Sequence, residues 1–497
     1  MYAVSRLPRF VVFVFDALRR DMIRTEHMPH LRRFIDEGCD FPDSRCVFPS
    51  ETRVNAASLA CGATPGVTGV VANKFYEPRV FGDRLFHTAK HDDVQAAEAA
   101  YGGAFVTAPT LGELLADAGR TLAVVGTGTA GATHFLNPRS AQLGQVTLAL
   151  SDWRRSTPID YAAKVLARHG PIPPAAKPNL ARIRMQMDMV LESVLPEVTP
   201  DGLIVWFSDP DSTYHDCGIG SPQSFAAIAN ADAQFGRFLE VWRAHPEQQA
   251  CTIVVCSDHA QVSAQRRVHV KEALGTSGIG VGAALDATTV FAGSLGYSGS
   301  IHVADSARSR VAELATWLND QPWCGNVFTT GGDGVRGGVP GTLDRRLLML
   351  DHVRAPDIYY TMRADERPNA WGLPGTCWYD SNEVPLGGGT HGGLHGIEMN
   401  NLLAVQGNRY KRGFRSPWPA GIPDIVPTLL AELGIDRSKS MTGRVLSEGW
   451  LQGSEPPPLR TREHRSEGPR AAQCLRVWHV GESAYIDRGW VEGKPAS

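Results

Sequence analysis

The sequence predicts an α/β protein, a sandwich of helices around a mainly parallel sheet. Three uninterrupted runs of β-branched and aromatic residues, FVVFVF (10–15), LIVWF (203–207) and TIVVC (252–256), have the composition of strands buried on both faces. Segments with helical spacing of apolar residues lie between them, the alternation that builds βαβ units.

The first strand ends at Asp16, its first polar neighbour. PHLRRFIDEG (29–38) reads as a short helix stopped by Gly38. The stretch 48–73, FPSETRVNAASLACGATPGVTGVVAN, opens on a Pro-anchored turn carrying Ser50 and Thr52. It continues as an Ala-rich helix over 54–61 and leaves through a Gly/Thr/Pro loop reaching Asn73. A helix is expected over 110–119 and a strand over 121–126. Apolar residues at Leu180, Ile183, Met187, Val190, Leu191 and Val194 give a helix over 179–194, its methionines filling core. Residues 225–242 form a long helix, with Asp232 and Glu240 on its polar face in solvent; Trp206 and Trp242 are read as core.

After His259 the chain becomes richer in Gly and Thr. A strand–helix–strand piece over 300–303, 307–321 and 325–329 marks a smaller α+β subdomain at 260–385, inserted in or capping the main sheet. The main core, 1–259, resumes over 386–450 with GGGTHGG (387–393), a strand at 402–406 and a helix at 423–433. A C-terminal extension (451–497) holds a Pro-rich linker and a hairpin over 475–491 turning at Gly481 and Glu482.

At 497 residues there is ample chain for a large core. Charged residues are 20% and the net charge is −3, which gives no global reason to expect nucleic acid or an anionic membrane as a partner. The one basic bias, at 460–470, reads as a solvated tail. Nine cysteines, odd in number and without C-x-x-C spacing, argue against a disulfide framework or a zinc knuckle. The N-terminal apolar run is too short for a signal peptide or a membrane span, and a soluble, cytoplasmic protein is expected.

Chemistry gathers where the buried strands end. Ligands in open α/β sheets bind beyond the carboxyl ends of the strands. Three strands here lead to Asp16, to Asp211 with His215, and to Asp258 with His259; the glycine-rich loop adds His391. Six Asp/His groups and a hydroxyl suit two divalent cations with room left for substrate oxygens. Imidazole and carboxylate without thiolate favour zinc, with manganese or iron as alternatives. A Ser or Thr opening a helix is far more often a cap than a nucleophile; the Asp/His company sets Thr52 apart.

In this order and spacing, Asp16 followed by Ala-Leu-Arg, FPSETRVN, Asn73, PDSTYH, SDH, THGG, PDIVPTLL and GRVL resemble the type I phosphodiesterase/nucleotide pyrophosphatase family, a branch of the alkaline phosphatase superfamily. The resemblance runs over most of 9–450. It implies an alkaline-phosphatase-like three-layer fold and two metal sites, one held by Asp211, His215 and His391, the other by Asp16, Asp258, His259 and Thr52. It also implies Thr52 as nucleophile, Asn73 donating to a non-bridging phosphoryl oxygen, and a phospho-threonine intermediate hydrolysed with net retention. The Arg53 backbone N–H, at the helix start, is a further expected donor. The substrate class implied is a small phosphoric diester or pyrophosphate, nucleotide-like by default.

Ala17 stands where the family usually has Gly, a small change expected to be tolerated. Ser50 is an alternative nucleophile. With no cysteine at the nucleophile position and no C-x-P-x-R, the formylglycine sulfatases and phosphonate monoester hydrolases do not fit. A phosphonoacetate-type carbon–phosphorus hydrolase is the runner-up, with Lys74, Arg266 or Arg267 to grip a carboxylate; a non-catalytic metal-holding protein is the third reading. His87 and His91 have i,i+4 spacing but no strand-end support, and His395 is a candidate for contact with substrate or with the ligands.

Overall fold

Eight strands make the central sheet, in the order Phe414–Arg415, Cys39–Asp40, Leu403–Gln406, Thr252–Cys256, Phe10–Phe15, Gly202–Phe207, Leu122–Gly126 and Val146–Ala149. The structure is a computed structural model describing residue 4, residues 6–380 and residues 384–494. The five strands from Thr252–Cys256 to Val146–Ala149 run parallel. Leu403–Gln406 runs antiparallel to Thr252–Cys256. Phe15 pairs with Phe207, and Val14 with Cys256, so the three apolar strands finish level at one edge of the sheet.

Alternation along each strand explains the layers. Phe10, Val12 and Val14 face a core shared with the Thr52–Cys61 helix, through Val54, Ala56, Ala57 and Leu59. Val11, Phe13 and Phe15 face the other core, built with the helices Pro29–Glu37, Leu180–Met189 and Pro222–Ala244. Each fully buried Val or Phe contributes about 1.5–3 kcal/mol of transfer free energy, which makes this strand the anchor of both layers.

Several elements depart from expectation. Asp232 is buried, not solvated: Oδ1 accepts the N–H of Leu31 at 2.7 Å and Oδ2 that of His30 at 3.1 Å, satisfying the exposed start of the Pro29–Glu37 helix. The helix over 179–194 ends its α-helical part at Met189 and continues as a π-helix, Val190–Val198, with Pro196 inside it. Trp242 is only partly buried, whereas Trp206 is fully so.

Within 260–385 a third apolar cluster runs from Val262 to Val384. The expected strand–helix–strand piece is present as Ser298–Val303, the Val311–Asp320 helix and Cys324–Thr329, with the two strands not adjacent. Ile358–Met362 lies between them, antiparallel to both. A second sheet, Ala364–Pro368, Pro374–Tyr379, Val262–Arg267 and Gly389–Thr390, was not foreseen. The basic stretch near the C-terminus is a strand and not a tail: Arg460–Glu467 pairs with Ala472–Val480, which forms a hairpin with Ser483–Glu492. All nine cysteines are free thiols. Among the described residues no helix is long and apolar enough to cross a membrane.

Candidate active site

Thr52 is the first residue of the Thr52–Cys61 helix, earlier than the pattern suggested. It does not cap: extended Glu51 precedes the helix, and the Glu51 carboxylate instead accepts the N–H of Asn73. The Thr52 hydroxyl therefore sits in the first turn, where unsatisfied N–H groups and the positive dipole end gather, 3.3 Å from His259 Nε2. The Arg53 N–H points at Asn73 Oδ1 from 3.4 Å, long for such a bond. The helix ends at Gly62 in the left-handed region (φ 59°), where a Cβ would meet Pro427 Cδ at 2.9 Å. Ser50, the alternative nucleophile, is buried. Its Oγ lies 2.8 Å from Glu398 Oε1 and 3.0 Å from both Gly393 O and the Gly392 N.

Asp211 opens the Asp211–Cys217 helix, and His215 follows one turn later on the same face, Nε2 at 3.2 Å from Asp211 Oδ1. His391 Nε2 is 3.6 Å from the same oxygen. His259 Nε2 lies 3.1 Å from Asp258 Oδ2 and 3.9 Å from Asp16 Oδ1. The rings of His259 and His391 stack with centroids 3.9 Å apart. Five of the six expected ligand residues fall into two groups able to share an ion, Asp211 with His259 and His391, and Asp16 with Asp258 and His259; His215 is in neither and joins the cluster through Asp211, where His259 takes the place expected for it.

Each imidazole is held from behind. The Nδ1 atoms of His215, His391 and His259 face main-chain carbonyls of Gly389 (2.7 Å), Ser50 (2.8 Å) and Ala260 (3.0 Å). Donation from Nδ1 directs each Nε2 lone pair inward, the arrangement of imidazoles that bind cations. Trp206 Nε1–H donates to Asp16 Oδ2 (2.9 Å), Gln261 Nε2 to Asp211 Oδ1 (2.6 Å) and the Ala17 N–H to Asp258 Oδ1 (3.0 Å). Ala17 itself has φ 59°, a left-handed conformation that favours glycine. Ala17→Gly is expected to stabilise the fold by up to about 1 kcal/mol, since the relieved strain outweighs the added freedom of the unfolded chain. A raised urea midpoint at unchanged slope would show it.

The electrostatics call for a cation. Burial, then the charges of Asp258 and Asp211, hold the Asp16 carboxyl well above the usual carboxylate range, against the Trp206 bond. Burial would raise Asp211 too, but the charge and hydrogen bond of His215, with the charge of His259, outweigh it and hold it below that range. Burial and His259 keep His391 neutral. Asp16 Oδ1 and Asp258 Oδ2 are buried with no hydrogen-bond partner. Crowded carboxylates with orphaned oxygens, beside inward-facing imidazoles, are a donor set that divalent cations satisfy.

A cleft of about 360 Å³ opens over the cluster, with Thr52, Asn73 and Lys74 on one side and the 294–298 loop, Tyr379 and Val384 on the other. Lys74 lines it; Arg266 and Arg267 are not among its lining. His87 reaches the cleft but not the cluster, and burial, helped by Lys74 and Arg53, lowers its pKa to about 4. His91 faces a different cavity beside His134 and Glu98, so the i,i+4 pair forms no site. His395 caps the short Gly396–Met399 helix and lies 3.4 Å from Glu366, outside the cleft lining. Sequence reasoning missed Trp206 and Gln261 as partners of the ligands, and Lys177 and the 294–298 loop as cleft walls. Trp206 carries no mark beyond its apolar strand, and the loop contains no motif.

The family model for type I phosphodiesterase/nucleotide pyrophosphatase matches residues 10–323. Among curated proteins, bis(5'-adenosyl)-triphosphatase enpp4 of Mus musculus is 34% identical over 73 residues, 15% of this chain and 16% of the relative. The Xenopus laevis protein of the same name is 33% identical over 73 residues, with the same shares. The matched stretch thus spans about a sixth of these relatives' length. Among solved structures, murine ectonucleotide pyrophosphatase/phosphodiesterase 5 shares the fold with a TM-score of 0.58 at 15% identity, over 86% of this chain and 96% of that one. An inactive variant of that murine protein, in complex with AMP, matches equally well, with a TM-score of 0.58 over 87% of this chain.

Proposed function

Because the chain belongs to the type I phosphodiesterase/nucleotide pyrophosphatase family, we propose that it hydrolyses phosphoric diesters or pyrophosphates, with nucleotide-like substrates, through a phospho-threonine. The observation that supports this most is the convergence of Asp16, Asp211, Asp258, His259 and His391 from four distant segments, with His215 beside Asp211, next to one helix-start hydroxyl, with two buried carboxylate oxygens left unpartnered. The AMP bound by the murine neighbour supports the nucleotide class.

Asp211, His215 and His391 would hold one cation, and Asp16, Asp258, His259 and the Thr52 hydroxyl the other; the donor set favours zinc over manganese or iron. When bound, such cations lower the pKa of an alcohol and neutralise charge on the phosphoryl group. Thr52 Oγ1 attacks phosphorus in line, its O–P bond forming as the bond to the leaving oxygen breaks. Asn73, held by Glu51 through its backbone N–H, offers its side-chain amide to a non-bridging oxygen. Arg53, half-buried beside the cluster, adds its N–H and positive charge. Water then displaces Thr52 from phosphorus with a second inversion, so the net outcome is retention. The helix start and the fixed imidazoles contribute by positioning and charge.

Purified protein assayed on bis-p-nitrophenyl phosphate, p-nitrophenyl phosphate, a nucleotide aryl ester and phosphonoacetate tests the reading. Two equivalents of metal and a diester rate well above the monoester rate are expected. Lys74 in the cleft favours one other reading: dominant phosphate release from phosphonoacetate would assign the site to carbon–phosphorus cleavage.

A further inference from the structure

We infer that Glu398 and Ser50 form a positioning relay that fixes the His259 and His391 imidazoles against the nucleophile turn; this rests on the two-cation reading above. Neither residue lines the cleft, and both are fully buried. Glu398 lies in the short Gly396–Met399 helix. Its main-chain carbonyl accepts the N–H of Ala260, the residue after His259, at 2.9 Å. Its Oε1 accepts the Ser50 hydroxyl at 2.8 Å. Ser50 grips the other histidine loop twice: Oγ accepts the Gly392 N–H at 3.0 Å, and the carbonyl accepts Nδ1–H of His391 at 2.8 Å. Glu398 therefore touches the chain behind both stacked rings, through its main-chain carbonyl on the His259 side and through its carboxyl and Ser50 on the His391 side, and the serine it holds lies two residues before Thr52.

A buried carboxyl is costly unless its oxygens are hydrogen-bonded. Glu398 Oε2 and the Tyr297 hydroxyl are both buried without another partner, and Tyr297 is the group that faces this carboxyl. Packing alone would be served by an apolar residue. The single Ser50 proton has two acceptors in reach, Glu398 Oε1 and Gly393 O. Glu398 Oε1 is the nearer of the two and takes that proton. This turns an Oγ lone pair to the Gly392 N–H and sets the height of the loop that carries His391. Glu398 and Ser50 are positioning residues, acting through the imidazoles.

Full-length Ser50→Ala, Glu398→Ala, the double variant and Glu398→Gln would be compared with wild type for zinc affinity, by competition with a chromophoric chelator, and for kcat and KM on bis-p-nitrophenyl phosphate. Residues behind metal-bound histidines are worth about 10–100-fold in affinity, and each alanine variant should lose that much, with a lower kcat at little-changed KM. The double variant should be no worse than the weaker single, because either change breaks the same relay. Glu398→Gln, which keeps an acceptor oxygen, should stay within about threefold of wild type. Wild-type zinc affinity in folded Ser50→Ala, losses that multiply in the double variant, or a Gln variant as weak as Ala would each overturn the relay. Ser50→Ala removes one oxygen and carries the test if Glu398→Ala does not fold. A wild type that binds zinc but cleaves no diester would sink the proposed activity, while the zinc affinities would still decide the relay.

Discussion

Thr52→Ala is expected to abolish turnover, a loss of about 10⁴-fold or more, while most of the metal remains bound. Six Asp/His groups survive the change, and only a hydroxyl leaves the cluster. Stability should hardly move, by less than about 0.5 kcal/mol, because Thr52 is the first helical residue and caps nothing. Thr52→Ser keeps the hydroxyl and should keep most of the rate. Ser50 offers no rescue: its Oγ is buried and engaged by Glu398 and the Gly392 N–H. Steady-state rates on bis-p-nitrophenyl phosphate, with metal content measured on the same samples, check the prediction. An active Thr52→Ala variant would move the attack to water.

Asp16→Asn should act with opposite signs in metal-free and loaded protein. Without metal, burial and the neighbouring carboxylates hold the Asp16 carboxyl above its ordinary value. A carboxyl whose folded pKa is raised favours folding while protonated. It therefore costs stability progressively as pH rises from the unfolded value, about 4, through the folded one. The metal-free wild type should accordingly be more stable near pH 5 than near pH 8 as far as this group is concerned, and the asparagine variant should lack that slope. At neutral pH the chelated variant should be more stable than chelated wild type. Saturating metal reverses the order: at about 1,000 times the dissociation constant it adds roughly 4 kcal/mol to wild type, and far less to a variant lacking one ligand. Urea melts with chelator and with zinc, at both pH values, read all four states.

Much of this site is legible in the sequence because buried parallel strands announce themselves. An apolar run that stops at Asp16, or at Ser257-Asp258-His259, marks both the strand and the edge where its next polar residue emerges. The strand end also brought Asp211 and His215 into the reading together, although the helix that sets them one turn apart was not foreseen. What failed depends on contacts between distant segments. Asp232 sits in a helical pattern that marks it as polar, and nothing local says that the N–H groups of His30 and Leu31 arrive opposite it. Arg460–Glu467 carries too much charge to read as a strand, yet one exposed edge position tolerates it. The bond from Trp206 to Asp16 needs two neighbouring strands in register, a fact of pairing and not of composition. The 294–298 loop lines the cleft from a hairpin whose Ser298–Val303 strand pairs with Ile358–Met362, a partner about sixty residues away that no local pattern names.

The most direct measurement is a crystal structure of the zinc-loaded protein soaked with vanadate, using anomalous scattering to locate the ions. The expected result is a pair of zinc peaks, one within reach of Asp211, His215 and His391 and one beside Asp16, Asp258 and His259, with vanadium bonded to Thr52 Oγ1. A lone ion, ions in separate pockets, or vanadate bound away from Thr52 would contradict it.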